Sequence, residues 1–357
     1  MDRLVKMRLR VAKIGFHSLR SHQAFEIPAA HPGKERLMIS RSVRHNALLL
    51  AIFTAGVAVP LAAQSVPPSS AEPASAGDAQ WRQDLAAWRT QREATISAPD
   101  GWLTLIGLEW LKPGVNTVGS AADCQIRIRT QAPEHIGLLT VSPKSLQILA
   151  PTGGFPPDLT IDGAPAREGL LAADDSKPNT ISWHGLSMMV LHRGNRYALR
   201  IKDADSPTRA SFHGLNWYPP DPHFRVSARW IPYNPPHIEK IPTIIGTTLN
   251  LPSPGVAEFT LEGKTLRLEP VIEGDNQTVL FFILRDQTSQ STTYEAARFL
   301  HTGLPDHGLT SPGHLELDFN QLENPPCAYT SYATCPLPPQ QNRLQVSIPA
   351  GEERYPH

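Results

Sequence analysis

Side chains able to do chemistry crowd into the last quarter of the chain. In LELDFN, Asp318 and Asn320 flank Phe319, so in an extended strand the two polar groups share one face. A carboxylate beside an amide is the pairing of a general base, or a ligand, with its orienting partner. Tyr294 and Arg298 stand four apart and would share a face if that stretch is helical. Asn324 follows in a proline-stiffened run with little periodicity, where a binding loop or a structural clasp is expected. Upstream, Arg200 and Lys202 lie two apart in YALRIKD, and strand alternation puts them on one face. An arginine fork there fits a carboxylate or phosphate. His213, between Phe212 and Gly214, is the acid–base candidate. These residues assign catalytic roles to His213, Asp318 and Asn320, and ligand contacts to Arg200, Tyr294, Arg298 and Asn324. The competing reading is internal pairing, with the arginines neutralised by Asp203, Asp205 and Asp221.

Other chemistries lack their signatures. There is no G-x-S-x-G elbow, no phosphate-binding loop and no H-E-x-x-H pair. His307, His314 and Asp318 show no ligand spacing, so neither a metal nor a cofactor is expected. Cys327 and Cys335, eight apart, are expected to form a disulfide, with Cys124 buried and reduced. Neither C-terminal cysteine has a histidine beside it in sequence, which argues against a thiol nucleophile.

Positioning these groups falls to strands. Trp81, Leu85, Trp88 and Arg92 recur at helical spacing and predict one amphipathic helix. Beyond Pro99 the chain reads as short apolar or alternating segments broken by Gly, Pro, Asn and Asp. SMMVLHR and YALRIKD read as a hairpin, and EGK as a second tight turn. With 35 prolines, many rigid loops are expected. The fold class is therefore mainly β, with four expected regions. An extension and secretory signal covers 1–63, a flexible spacer 64–78, a helix and β-sandwich 79–207, and a second β domain 208–357. That second domain is an antiparallel sandwich or partly open barrel with a closing loop. WLKPGVNTVGSAADCQIRI resembles the opening of a forkhead-associated sandwich. Ser120 stands where that family carries its phosphothreonine-binding arginine, so phosphopeptide binding is not implied.

Arg41, Arg44 and His45 precede ALLLAIFTAGVAVPLAA, the order of a cleavable export signal. The apolar run is short for a span, so a permanent membrane anchor is not expected. Translation is expected to start at Met38 and the mature chain near Gln64, in the periplasm or outside the cell. Charge agrees with that division. The whole chain has 33 basic and 33 acidic groups, but residues 64–357 hold 23 against 30. An acidic mature chain argues against nucleic acid as a partner.

WLTLIGLEWLKPGVNTVGS, FHGLNWYPPDPHFRVSARW, LFFILRDQTSQSTTYEAARFL, LDFNQLENPPCAYTSYATCPLPPQQNRL and AGEERY occur in order. Together they resemble the bacterial domain-of-unknown-function family numbered 1684. The resemblance implies no reaction, cofactor or catalytic residue, and it fits an exported protein. Leu322–Glu323 departs from the alanine–tyrosine pair more usual there. The expected function is binding of a small polar or anionic ligand. Alternatives are a hydrolase-like or lyase-like enzyme using Asp318 and His213, and an envelope protein-interaction module.

Overall fold

Alternating apolar and polar side chains become strands almost throughout the second part of the chain. The computed structural model describes residues 76–356 apart from Lys144, Asp275 and Asn276. The expected signal and translation start lie outside the described residues. Helix α1 (Ala76–Ile96) forms where helical spacing required it. Trp81 and Leu85 are buried on one face, while Arg82, Gln83 and Asp84 are exposed. One turn further, Trp88 packs edge-on against Trp217 at 5.6 Å.

Eleven strands follow: β1 (Leu105–Trp110), β2 (Gly114–Gly119), β3 (Ile126–Arg127), β4 (Gly137–Val141), β5 (Leu146–Leu149), β6 (Thr160–Ile161), β7 (Ala164–Pro165), β8 (Gly169–Leu170), β9 (Ile181–Trp183), β10 (Leu186–Arg193) and β11 (Arg196–Asp203). One sheet runs in the order β1-β11-β10-β9-β6-β7, the other β3-β2-β4-β5-β8. Val118, Leu139 and Ile148 of the second sheet share a core with Met188, Val190, Leu199 and Ile201 of the first. Alternation then sends Arg193, Arg200 and Lys202 to the opposite face of that sheet. The β10–β11 hairpin turns at Gly194–Asn195, where Gly194 takes a φ of 64° that glycine adopts without strain.

The remaining strands are β12 (Arg225–Pro242), β13 (Thr248–Leu261), β14 (Lys264–Leu268), β15 (Leu280–Leu284), β16 (Arg298–Thr302) and β17 (Gly313–Asp318). They make a sheet ordered β14-β13-β12-β17 and a separate β15-β16 ribbon. The EGK turn has Glu262 and Gly263 both left-handed, as a two-residue hairpin requires. Strand β15 is buried on both sides. Leu280, Phe282 and Leu284 join the core that contains Trp230 and Phe319, whereas Phe281 and Ile283 face a third cluster with Phe299 and Ala333. The molecule is thus mainly β, built from several sheets. Among the described residues, no helix is long and apolar enough to cross a membrane.

The helical pairing of Tyr294 with Arg298, which their spacing left open, does not form. The stretch from Tyr294 to Arg298 is not helical: a single 3₁₀ turn (Gln287–Gln290) ends before it, and β16 begins at Arg298. The Asp286 side chain caps that turn by accepting from the Thr288 amide at 2.8 Å. Consecutive β-branched Thr292 and Thr293 then disfavour a helix.

Candidate functional site

The polar residues that stand out in the C-terminal sequence mostly hold elements together. Asp318 ends β17, and its two oxygens serve different neighbours. Oδ2 accepts from the Trp81 indole at 2.7 Å, while Oδ1 accepts from the Asn320 amide and side chain at 3.0 and 2.9 Å. Asn320 also exchanges hydrogen bonds with the backbone of Asp221 at 2.9 Å each way. Asp318 borders a hollow of about 280 Å³, but its carboxylate is occupied in docking α1 onto the sheet. Arg298 is 1% exposed and pairs with buried Asp286 at 2.9 Å. It further donates to the carbonyls of Ile348 and Ala350. Tyr294 is buried and donates to the Cys327 carbonyl at 3.2 Å. Burial, then Glu295, pushes its hydroxyl pKa up. His213 is exposed beyond the short helix Pro207–Ala210. The expected residues are therefore distributed: among the described residues, no hydrogen bond or ion pair joins Asp318 to His213 or Arg298.

Arg200 and Asn324 do come together, on a cleft of about 490 Å³. One wall is the outer face of the N-terminal sheet, carrying Arg193 and Arg200. The facing wall is the β15–β16 ribbon. Residues two apart on a strand share a face, so Phe299 and His301 both point into the cleft. Phe281 is the register partner of His301, and their rings stack at 4.6 Å with 5° between planes. Leu249 and Leu251 of β13 extend the apolar surface, and Trp102 completes it. Cys335 and Pro336 from the closing loop form the rim. The Cys327–Cys335 disulfide is present, with Cα atoms 6.2 Å apart, and Cys124 is free and buried.

Charge in the cleft is arranged unequally. Arg193 meets Asp174 at 2.7 Å. Arg92, reaching in from α1, meets Glu352 at 2.9 Å and Glu323 at 3.2 Å, and donates to the Asn324 carbonyl at 2.9 Å. Burial opposes the Arg92 charge, but Glu352 and Glu323 outweigh it and raise its pKa. Glu352 also accepts from the Asn324 amide at 2.7 Å and from the Tyr329 hydroxyl at 2.6 Å. Its placement depends on Gly351, whose φ is 79° and where a Cβ would sit 2.4 Å from the Leu322 carbonyl oxygen. Arg200 has no such carboxylate. Its Nε is buried without an acceptor, and its guanidinium lies 5.3 Å from the Trp102 ring centre. Burial, then Arg193 as a like charge, lowers its pKa to about 10 against the partial pull of Asp174. Lys202 shares the Trp102 ring at 5.7 Å, and burial followed by Arg200 lowers its pKa too. The Asn324 Oδ1 is a buried acceptor left without a donor. Across the cleft, Glu273 sits at an exposed turn yet within enough surrounding protein that desolvation raises its carboxyl pKa, against the pull of His301. His301 Nδ1 is 3.4 Å from Glu323.

Arg92, Trp102, Arg193, Glu273, His301 and Glu323 were not singled out by sequence reasoning. Two carried a usable signal: Arg92 interrupts the apolar helix face, and His301 follows three buried residues of a strand. Two other groups have donor sets that could hold a cation. These are Asp123, Cys124 and His135, and His237, Glu239 and Glu269; neither belongs to the cleft lining.

Residues 210–353 match the family described as "Protein of unknown function (DUF1684)". The solution NMR structure of an uncharacterized protein of Haloarcula marismortui is 30% identical, covering 42% of this chain and 80% of that one, with a TM-score of 0.36. No curated protein matches. The ribbon and rim of the cleft lie within the matched segment, whereas Arg92, Trp102, Asp174, Arg193 and Arg200 precede it.

Proposed function

We propose, for a chain that belongs to the DUF1684 family of proteins of unknown function, that it binds a small anionic ligand in the cleft with Arg200 as the anchoring cation. The observation that carries this reading is the contrast among three guanidiniums. Arg92 and Arg193 have carboxylate partners, and Arg200 has none. A half-buried cation that makes no ion pair, its nearby carboxylate Asp174 being paired with Arg193, costs free energy that a bound anion recovers. The volume falls in the ~300–1,000 Å³ range of small-molecule pockets, and its lining mixes an apolar wall with a few polar groups.

An acid–base enzyme using Asp318 and His213 has less support, because Asp318 is engaged by Trp81 and Asn320 while His213 is exposed elsewhere. The signal-like run at 41–63 and the disulfide support an exported protein, periplasmic or secreted. We read the two N-terminal sheets as a forkhead-associated-like sandwich without its phosphate-binding arginine, and the C-terminal strands as an antiparallel sandwich or open barrel. The binding reading is tested by thermal shift with a panel of carboxylates and phosphate. At least one anion should raise the melting temperature of the native protein and not that of Arg200→Met. Equal shifts in both proteins would remove Arg200 as the anchor.

A further inference from the structure

We propose that the cleft selects a monocarboxylate with an apolar body, such as a medium-chain or aryl-alkanoic acid, rather than an inorganic or multiply charged anion. This rests on the reading of Arg200 as the anion anchor and adds the chemistry of the rest of the ligand.

Head-group charge is limited by the carboxylates around the site. Asp174 and Glu323 are already matched by Arg193 and Arg92, which leaves Arg200 as the one guanidinium in the lining without a carboxylate partner. No ion pair joins Arg200 to Glu273. A single negative charge meets Arg200, whereas a second would lie in a lining that already holds Asp174, Glu273 and Glu323, the neighbouring Lys202 being outside that lining and donating to the Asp100 carbonyl. The guanidinium fork favours a planar carboxylate head.

The body is specified by the opposite wall. Phe281 and Phe299 project from neighbouring strands of the ribbon, Leu249 and Leu251 from β13, all lining the same cleft as Arg200. Phe281 is already covered on one side by the His301 ring, so the aromatic surface is held flat. Phe281 and Phe299 back this wall and are themselves buried, so the surface that acetate or phosphate would leave in water is that of the half-buried Trp102, Leu249 and Leu251. An acid long enough to leave Arg200 and lie against it removes apolar surface from water.

Isothermal titration of the native protein tests this with the series acetate, butanoate, hexanoate and octanoate, plus 3-phenylpropanoate, its amide, phenylalanine and inorganic phosphate. Each added methylene should strengthen binding about two- to fourfold until the wall is covered. Octanoate and 3-phenylpropanoate should both bind more tightly than about 1 mM, and phosphate about tenfold or more weaker. Leu251→Ser should flatten the chain-length dependence, so that octanoate loses much of its advantage over acetate. Its melting curve checks that it folds. Arg200→Gln should abolish the preference for the acid over the amide. Phosphate or acetate binding as well as octanoate would overturn the apolar-body inference while leaving the anion reading in place. Phenylalanine binding as tightly as 3-phenylpropanoate would overturn the monoanion claim, because an ammonium would then be matched by a cleft carboxylate. If the amide equals the acid and Arg200→Gln changes nothing, the anion reading itself fails. No heat from any acid at concentrations up to about 1 mM overturns both.

Discussion

Replacing Arg200 with methionine should make the unliganded protein more stable, an unusual expectation for a half-buried residue. Burial and the nearby Arg193 bring the Arg200 pKa down to about 10. An ordinary arginine titrates roughly two units or more higher, and each unit of difference is worth ~1.4 kcal/mol, so the folded state disfavours the charge by ~3 kcal/mol. The sign follows from linkage. A base with its folded pKa below its unfolded one destabilises the fold wherever it is charged in both states, which includes all of the range below about pH 10. Methionine retains most of the aliphatic stem while losing the contact with Trp102, worth roughly 0.5–1 kcal/mol. The net gain is then of the order of 2 kcal/mol. At about 2–4 °C per kcal/mol for a chain of this size, the melting temperature should rise by roughly 4 °C or more. Urea denaturation at neutral pH, in buffer free of carboxylates and phosphate, measures it directly. A loss of stability of ~1 kcal/mol or more would show that Arg200 is a structural cation with a partner, and would refute the argument from its unmatched charge.

Three other outcomes follow from the same contacts. Asp286→Asn leaves the almost fully buried Arg298 uncompensated and should cost about 3–5 kcal/mol in urea unfolding; a change under ~1 kcal/mol would show that the pair is not the clasp described. Cys335→Ser opens a loop of about nine residues and should cost about 2–3 kcal/mol, with weaker octanoate binding because the cleft rim is released; titration calorimetry and unfolding under non-reducing conditions check both. Burial raises the Glu273 carboxyl pKa, so octanoate affinity should fall as pH rises through the range just above ordinary carboxylates, where Glu273 becomes charged. Glu273→Gln should reduce the slope; an unchanged slope would place Glu273 outside the ligand's field.

The elements were legible where local pattern decides them. Helical spacing of Trp81, Leu85 and Trp88 gave α1, and the β10–β11 hairpin and the EGK turn follow from their alternation and turn residues. Tyr294 and Arg298 show the limit. Their four-residue spacing permits a helix, but Asp286 caps the preceding turn and Arg298 is drawn into a buried pair from strand β16. The site was half legible for a related reason. Arg200 and Lys202 share a face by period alone, and both indeed lie on Trp102. Asp318 and Asn320 look equally chemical in sequence, yet their partners are an indole 237 residues earlier and the backbone of Asp221. A polar pair at a strand end reads the same whether it meets a ligand or a neighbouring element. Only the three-dimensional pairing shows which carboxylates are occupied and which guanidinium is left over.

The position of α1 imposes an order of assembly. Trp81 and Arg92 lie in the first element of the described chain, but their acceptors are Asp318 and Glu352, separated from them by 237 and 260 residues. A ribosome or a translocation channel delivers the helix long before those acceptors exist. Trp81 can close once Asp318 has been made, but Arg92 lacks its shorter ion pair until Glu352 follows, so the cleft wall formed by Arg92, Glu323 and Asn324 is completed only after every described strand has been synthesised. Such long-range closure slows folding, because the entropy of a large loop must be lost before the contact forms. It also gives residues 351–355 a weight out of proportion to their length: without them every described strand remains, but Arg92 loses the Glu352 carboxylate and keeps only Glu323.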